Sequence, residues 1–186
     1  MTRSLSRTFC FALLSVVGLS LSPGCDRNDT PVAQAPSAPS DTLPAGLVVT
    51  ETPKEARTVT ELKESAKEGD EVVLRARVGG TKEPMSPNRA VLTVIDSSVR
   101  TCDKMEGDHC ATPWDACCEP AESRIPKSAT VQVSGPNGQP LKVGLGGPTG
   151  IVPNKEVVVA GKVKTLADAK DGKTLVVDAS RIYVVP

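Results

Sequence analysis

The sequence predicts a mainly β protein: a small, closed or nearly closed five-stranded barrel, entered by one short helix and interrupted by a cysteine-rich loop. Three observations carry that expectation. Five β-rich runs alternate with Gly-, Pro- and Asp-containing turns between residues 58 and 186. Only one stretch, near residue 60, spaces its apolar side chains as a helix does. A sheet of this size must also hide its edges, which closure achieves. A two-sheet β-sandwich is the runner-up.

The chain opens with the layout of a secretory signal over residues 1–24. Arg3 and Arg7 form a positive start, residues 8–22 (TFCFALLSVVGLSLS) are uncharged and mostly apolar, and small residues precede Cys25. The apolar run is short of the ~20 residues that span a bilayer, and no later segment approaches that length. Residues 21–25 (LSPGC) resemble the lipobox of bacterial lipoproteins. The resemblance implies cleavage before Cys25 and lipidation of that cysteine, whose several acyl chains, palmitate among them, would anchor the chain to a membrane. Residues 25–57 then read as the lipidated cysteine followed by a flexible tether rich in Pro, Ala and Ser.

The folded domain is expected over residues 58–186. Thr58 and Glu61 supply a Thr-x-x-Glu capping pattern, with Val59, Leu62 and Ala66 at near-helical spacing, so a short helix is predicted over 59–67. Residues 71–78 (EVVLRARV) place Val72, Leu74, Ala76 and Val78 on one face of a strand and Val73, Arg75 and Arg77 on the other. Residues 89–96 (RAVLTVID) and 129–134 (ATVQVS) are the next β-rich runs. The turn Gly135-Pro136-Asn137-Gly138 returns the chain through 141–145, and residues 155–164 and 174–185 close the set across Asp171-Gly172.

The run 69–78, the run 91–96 and above all the final pair, 157–163 and 175–184 around Gly161, resemble the strands of bacterial OB-fold domains. That resemblance implies a five-stranded barrel in which a glycine kinks one strand so that the ring can close. The chain departs from the family at 146–154, too rich in Gly and Pro for the usual helix, and by the insertion over residues 98–128.

Composition narrows the function. Phe9 and Phe11 fall in the leader, leaving Trp114 and Tyr183 as the aromatic residues of the mature chain, whose core must be aliphatic. Removing 1–24 leaves 20 basic against 22 acidic residues, a net charge near −2. Nucleic-acid OB faces need stacking aromatics and a basic groove, and both are lacking. Arg75, Arg77 and Arg89 are read instead as solvated, outward side chains. With His109 the sole histidine, and no G-x-S-x-G, Walker or Rossmann glycine pattern, no catalytic set is assigned.

The chemistry is concentrated in residues 101–120 (TCDKMEGDHCATPWDACCEP), which hold four of the six cysteines. In an exported chain, Cys102, Cys110, Cys117 and Cys118 are read first as two disulfides. A bridge between the neighbours Cys117 and Cys118 is strained. That leaves 102 with 117 and 110 with 118, or 102 with 118 and 110 with 117. Each loop would contribute about 3 kcal/mol. A stretch with Gly107, Pro113 and many charges cannot build its own core, so stapling would fix it, with Trp114 as its apolar anchor. The alternative is a tetrahedral Zn²⁺ or Cu⁺ site drawn from Cys102, His109, Cys110, Cys117 and Cys118. A third reading is a labile, redox-active disulfide at the vicinal pair. The sequence thus predicts an exported, membrane-anchored lipoprotein, facing the periplasm or the exterior and acting as a non-enzymatic binding or envelope-structural module, with an envelope protein or glycan as its partner; a metal-handling or thiol-redox protein is the alternative.

Overall fold

The computed structural model describes residues 42–107, 109–170 and 172–186. The predicted leader, Cys25 and the first part of the predicted tether lie outside the described residues. Among the described residues no helix is long and apolar enough to cross a membrane.

The protein is mainly β, built on one six-stranded sheet instead of the two packed sheets of a sandwich. In chain order its elements are β1 (Val48–Val49), α1 (Val59–Ser65), β2 (Glu71–Val78), β3 (Val91–Ile95), a 3₁₀ turn (Cys102–Lys104), α2 (Ala121–Arg124), β4 (Ser128–Gln132), a second 3₁₀ turn (Gly147–Thr149), β5 (Glu156–Ala169) and β6 (Gly172–Val184). Hydrogen-bonded neighbours run β1-β6-β4-β3-β2-β5, and β5 also pairs with β6, so strands β2 to β6 close into a ring. The β4–β6 pair is parallel, whereas the other neighbours within the ring are antiparallel.

The local signals explain most of these elements. Thr58 and Glu61 form a reciprocal cap: the Glu61 amide donates to Thr58 Oγ1 (3.2 Å) and the Thr58 amide to Glu61 Oε2 (2.8 Å). The backbone and hydroxyl donors of Thr58 hold the Glu61 carboxyl below its usual range. Helix α1 stops at Ser65, two residues earlier than predicted, because Ala66 is already extended. Val59 and Leu62 are fully buried on β2 and its neighbours.

In β2, Val72, Leu74, Ala76 and Val78 do turn inward and are buried. The core they join is aliphatic throughout, with Leu92, Val94, Val131, Val159, Leu175 and Ile182 among its fully buried side chains. Ring closure falls where β5 and β6 lose register, at Ala160/Gly161 and again at Val163/Thr165. A Cβ at Gly161 would lie 2.2 Å from the Asp178 carbonyl oxygen, so only glycine allows the two strands to approach there.

The structure differs from the expectation at the predicted tether. Within the predicted tether, Leu47 is buried (3% exposed), and Val48–Val49 add a sixth strand alongside Ile182 and Tyr183 of β6. Arg57 then bridges to Leu74, exchanging backbone hydrogen bonds with Val73 and Arg75 at 2.8 Å. Leu43 also packs against the core. The return through 141–145 packs on the core without forming a strand. Leu141 and Leu145 are buried, but Gly144 runs so close to the Pro87 carbonyl (2.6 Å from a hypothetical Cβ) that the segment packs as loop.

Candidate functional site

The cysteine-bearing insertion leaves β3 at Asp96 and returns at β4, and its position is set by contacts at both ends. Asp96, 3% exposed, turns its carboxylate to the start of α1. It accepts from the Val59 amide (2.8 Å), the Thr60 amide (3.2 Å) and the Thr60 hydroxyl (2.6 Å). Those amides belong to the first turn, whose donors have no partner within the helix, and a carboxylate there is favoured by the helix dipole.

The second contact corrects the reading of Arg77 as a solvated side chain. Arg77 is only 9% exposed, because the insertion folds over the outer face of β2 and covers it. Its guanidinium donates to the Ser97 carbonyl (3.1 Å), the Val99 carbonyl (3.1 Å) and Thr101 Oγ1 (3.2 Å). One fixed fork thus satisfies three acceptors of the strand-leaving segment. Beneath it Ile95, Val99 and Ala116 form a small apolar cluster separate from the main core.

Arg75 behaves as the outward reading requires. It makes a two-pronged ion pair with Glu156 of β5 (2.9 and 3.0 Å), to which Ser97 Oγ also donates. Arg75 and Ser97 hold the Glu156 carboxyl below its usual range, against the opposing effect of burial. Its charge is thereby matched locally, and with Arg77 covered no cationic patch forms from Arg75, Arg77 and Arg89.

Trp114 docks the far side of the insertion, and does so more through its backbone than through its ring. Its carbonyl accepts from the Gly80 amide (2.8 Å), and its half-buried indole donates to the Lys82 carbonyl (3.1 Å). A Cβ at Gly79 would sit 2.5 Å from the Trp114 oxygen. Gly79→Ala is therefore expected to push the insertion off the turn after β2, at a cost of about 1–3 kcal/mol. Trp114 is the only tryptophan, so its emission reports the result: a red shift and quicker quenching are expected, and an unchanged spectrum would show that the turn yields instead.

Inside the insertion, two strands of loop are stitched together. The Cys102 amide donates to the Asp115 carbonyl (2.8 Å) and the Asp103 amide to the Pro113 carbonyl (3.0 Å). Asp115 folds back on itself, its Oδ1 accepting from the Ala116 amide at 2.7 Å, and Arg100 pairs with Glu119 at 2.9 Å. Burial tends to raise the Asp103 carboxyl, but donors from Thr101, Asn154 and Lys104 outweigh it and hold the group low. Through Asn154, whose amide bonds the Val78 carbonyl (2.7 Å), the loop is also tied to the segment before β5.

This stitching brings Cys102, Cys117 and Cys118 together. Their sulfur atoms all lie within 4.8 Å of one another, with Cys102–Cys117 at 3.6 Å and Cys117–Cys118 at 3.9 Å. Cys102 is buried, while Cys117 and Cys118 are exposed. Cys110 and His109, also predicted as site residues, are not part of this group. Cys110 stands with its sulfur 3.3 Å from Thr112 Oγ1, and His109 is exposed. No sulfur pair is at disulfide length among the described residues. Asp96, Arg77, Gly79–Gly80 and the loop's own rungs also hold the insertion in place.

Sequence reasoning missed Asp96 and Arg77 as the residues that place the insertion. A groove of about 530 Å³, between residues 54–57 and strands β2 and β5, shares no residue with the insertion. No known protein family, curated protein or solved structure matches the chain.

Proposed function

We propose that this chain is an exported lipoprotein, held to a membrane of the cell envelope by acyl chains on Cys25, whose OB-like barrel serves as a non-enzymatic binding module. The observation that supports the barrel reading is the ring itself. Its circular order β2-β3-β4-β6-β5, with one parallel pair between β4 and β6, supports the reading of a five-stranded Greek-key barrel of the OB kind. The register break at Gly161 falls where that resemblance expects a closing kink. In such folds ligands meet the loops and the outer strand faces, and here the insertion over residues 98–128 occupies the outer face of β2 as a rigidly held projection. An envelope protein or a glycan, met outside the cytoplasm, is the partner class this reading assigns.

The experiment follows acyl chains. The full-length protein, expressed with labelled palmitate in a bacterium that has an envelope lipoprotein pathway, is expected to take up label, lose residues 1–24 and sediment with membranes. Cys25→Ser is expected to lose the label and the sedimentation. Recovery of the wild-type chain from the cytosol with Met1 still attached overturns the proposal. The binding half is read by co-sedimentation of the mature protein with purified cell-wall glycan and by cross-linking to envelope proteins from the exposed position His109. Capture of neither sinks that half.

A further inference from the structure

The geometry points to a site for one soft, thiophilic d¹⁰ metal ion, Zn²⁺ or Cu⁺, held by the thiolates of Cys102, Cys117 and Cys118. This goes beyond the binding-module reading and does not depend on the lipid anchor. The separations carry it. A tetrahedral ion with metal–sulfur bonds of about 2.3 Å sets its sulfurs about 3.8 Å apart. The two closest pairs here, 3.6 and 3.9 Å, lie on either side of that spacing, and the third pair is within 4.8 Å. A disulfide would need about 2.05 Å. The three sulfurs are thus arranged at the edge length of a coordination polyhedron.

The triangle is also preorganised. Cys102 begins the 3₁₀ turn Cys102–Lys104, and its own amide is bonded to the Asp115 carbonyl, two residues before Cys117. The next rung, Asp103 to Pro113, prevents the two segments from sliding. Arg77 fixes the approach to Cys102 through Thr101, and the Glu119 amide, bonded to the Ala116 carbonyl, closes a turn around the vicinal pair. Ligands placed this way before binding lose little conformational freedom on binding.

Burial gives the site a direction. Cys102 closes the inner side, and Cys117 and Cys118 face solvent, so an ion enters from outside; with three converging thiols among the described residues, a tetrahedral ion has a fourth position for water or an incoming ligand. Three protein ligands with an open fourth position is the pattern of reactive or exchangeable sites, unlike the closed four-ligand structural kind. Three sulfurs with no carboxylate in the group select soft ions over Mg²⁺ or Ca²⁺. On binding, each thiol gives its proton to solvent and the ion exchanges bound water for thiolate; no oxidant or reductant is consumed.

The test uses the chain as it is recovered from cells, purified with detergent present and handled anaerobically after reduction. It is titrated separately with Zn²⁺, with Cu⁺, and with Cd²⁺ as an optical probe. One ion per chain by native mass spectrometry and a sulfur-to-cadmium charge-transfer band are expected. Cys117→Ser and Cys118→Ser, both at exposed positions, are each expected to weaken binding roughly 10- to 100-fold or more, as the loss of even supporting partners does. Cys110→Ser and His109→Ala are expected to leave it unchanged. Cys102→Ser alters a buried position, so its circular dichroism is compared with wild type, and the two exposed variants decide the matter if it fails to fold. Competition between Zn²⁺ and Cu⁺ assigns the preferred ion. Three results would overturn the site: no bound ion, a loss on Cys110→Ser as large as on Cys117→Ser, or a native chain four hydrogens lighter whose thiols resist alkylation.

Discussion

Asp96→Ala is expected to lower the stability of the domain by about 3 kcal/mol. The variant leaves the Val59 and Thr60 amides, in a largely buried site, without their acceptor, and it removes the negative charge from the helix start. For a domain of this size that corresponds to a fall in Tm of roughly 10 °C. Asp96→Asn keeps the shape and one acceptor oxygen, and is expected to recover part of the loss. Thermal unfolding followed by circular dichroism reads both. A Tm within a degree of wild type for Asp96→Ala would mean that water replaces the carboxylate and that the helix start does not depend on it.

Arg77→Met is expected to act locally before it acts globally. The methionine retains the apolar stem over β2 but strands the Ser97 and Val99 carbonyls and the Thr101 hydroxyl in a buried place. Losing the donor to three such acceptors costs about 2–4 kcal/mol. The cost falls on the insertion, so amide exchange should quicken over residues 97–104 while the strands of the ring keep their protection. Uniform loss of protection across β2 to β6 would instead make Arg77 a support of the whole fold.

These two residues also show where the sequence could be read and where it could not. Helix α1 was legible because its signal is local: Thr58 and Glu61 lie three positions apart and cap each other. The inward face of β2 was legible because alternation is a property of eight consecutive residues. Arg77 follows the same alternation, and its outward placement is correct; what alternation cannot show is that a segment twenty residues further on covers that outer face. Asp96 ends an apolar run with nothing nearby to mark it, and its partners lie 36 and 37 positions back in the chain. Val48–Val49 escaped notice for a similar reason: so short an apolar run becomes a strand only because Ile182 and Tyr183 are there to pair with it.

The thiol group was half legible. The cysteines announce themselves by number, and the insertion was identified as the seat of the chemistry. Which sulfurs converge depends on how the loop folds back, a matter of the Cys102–Asp115 and Asp103–Pro113 rungs and not of spacing. Those rungs draw in Cys117 and Cys118 and leave Cys110 and His109, beyond Gly107, outside the group. The ring order was least legible of all, since its closing pairs join β2 to β5 and β4 to β6 across tens of residues.

The hairpin of β5 and β6 runs on past the ring. From Ala167↔Thr174 to Ala169↔Gly172 the two strands are exposed and, among the described residues, pair with no other strand, which leaves their outer backbone edges open. Such edges invite a second molecule to add its own strand. Asp168, Lys170 and Lys173 sit along this extension, and burying their charges against an identical neighbour would be costly. Tethered copies crowded on one membrane, as proposed above, would meet at high local concentration. The same short stretch of mixed charge would keep them from stacking into fibres.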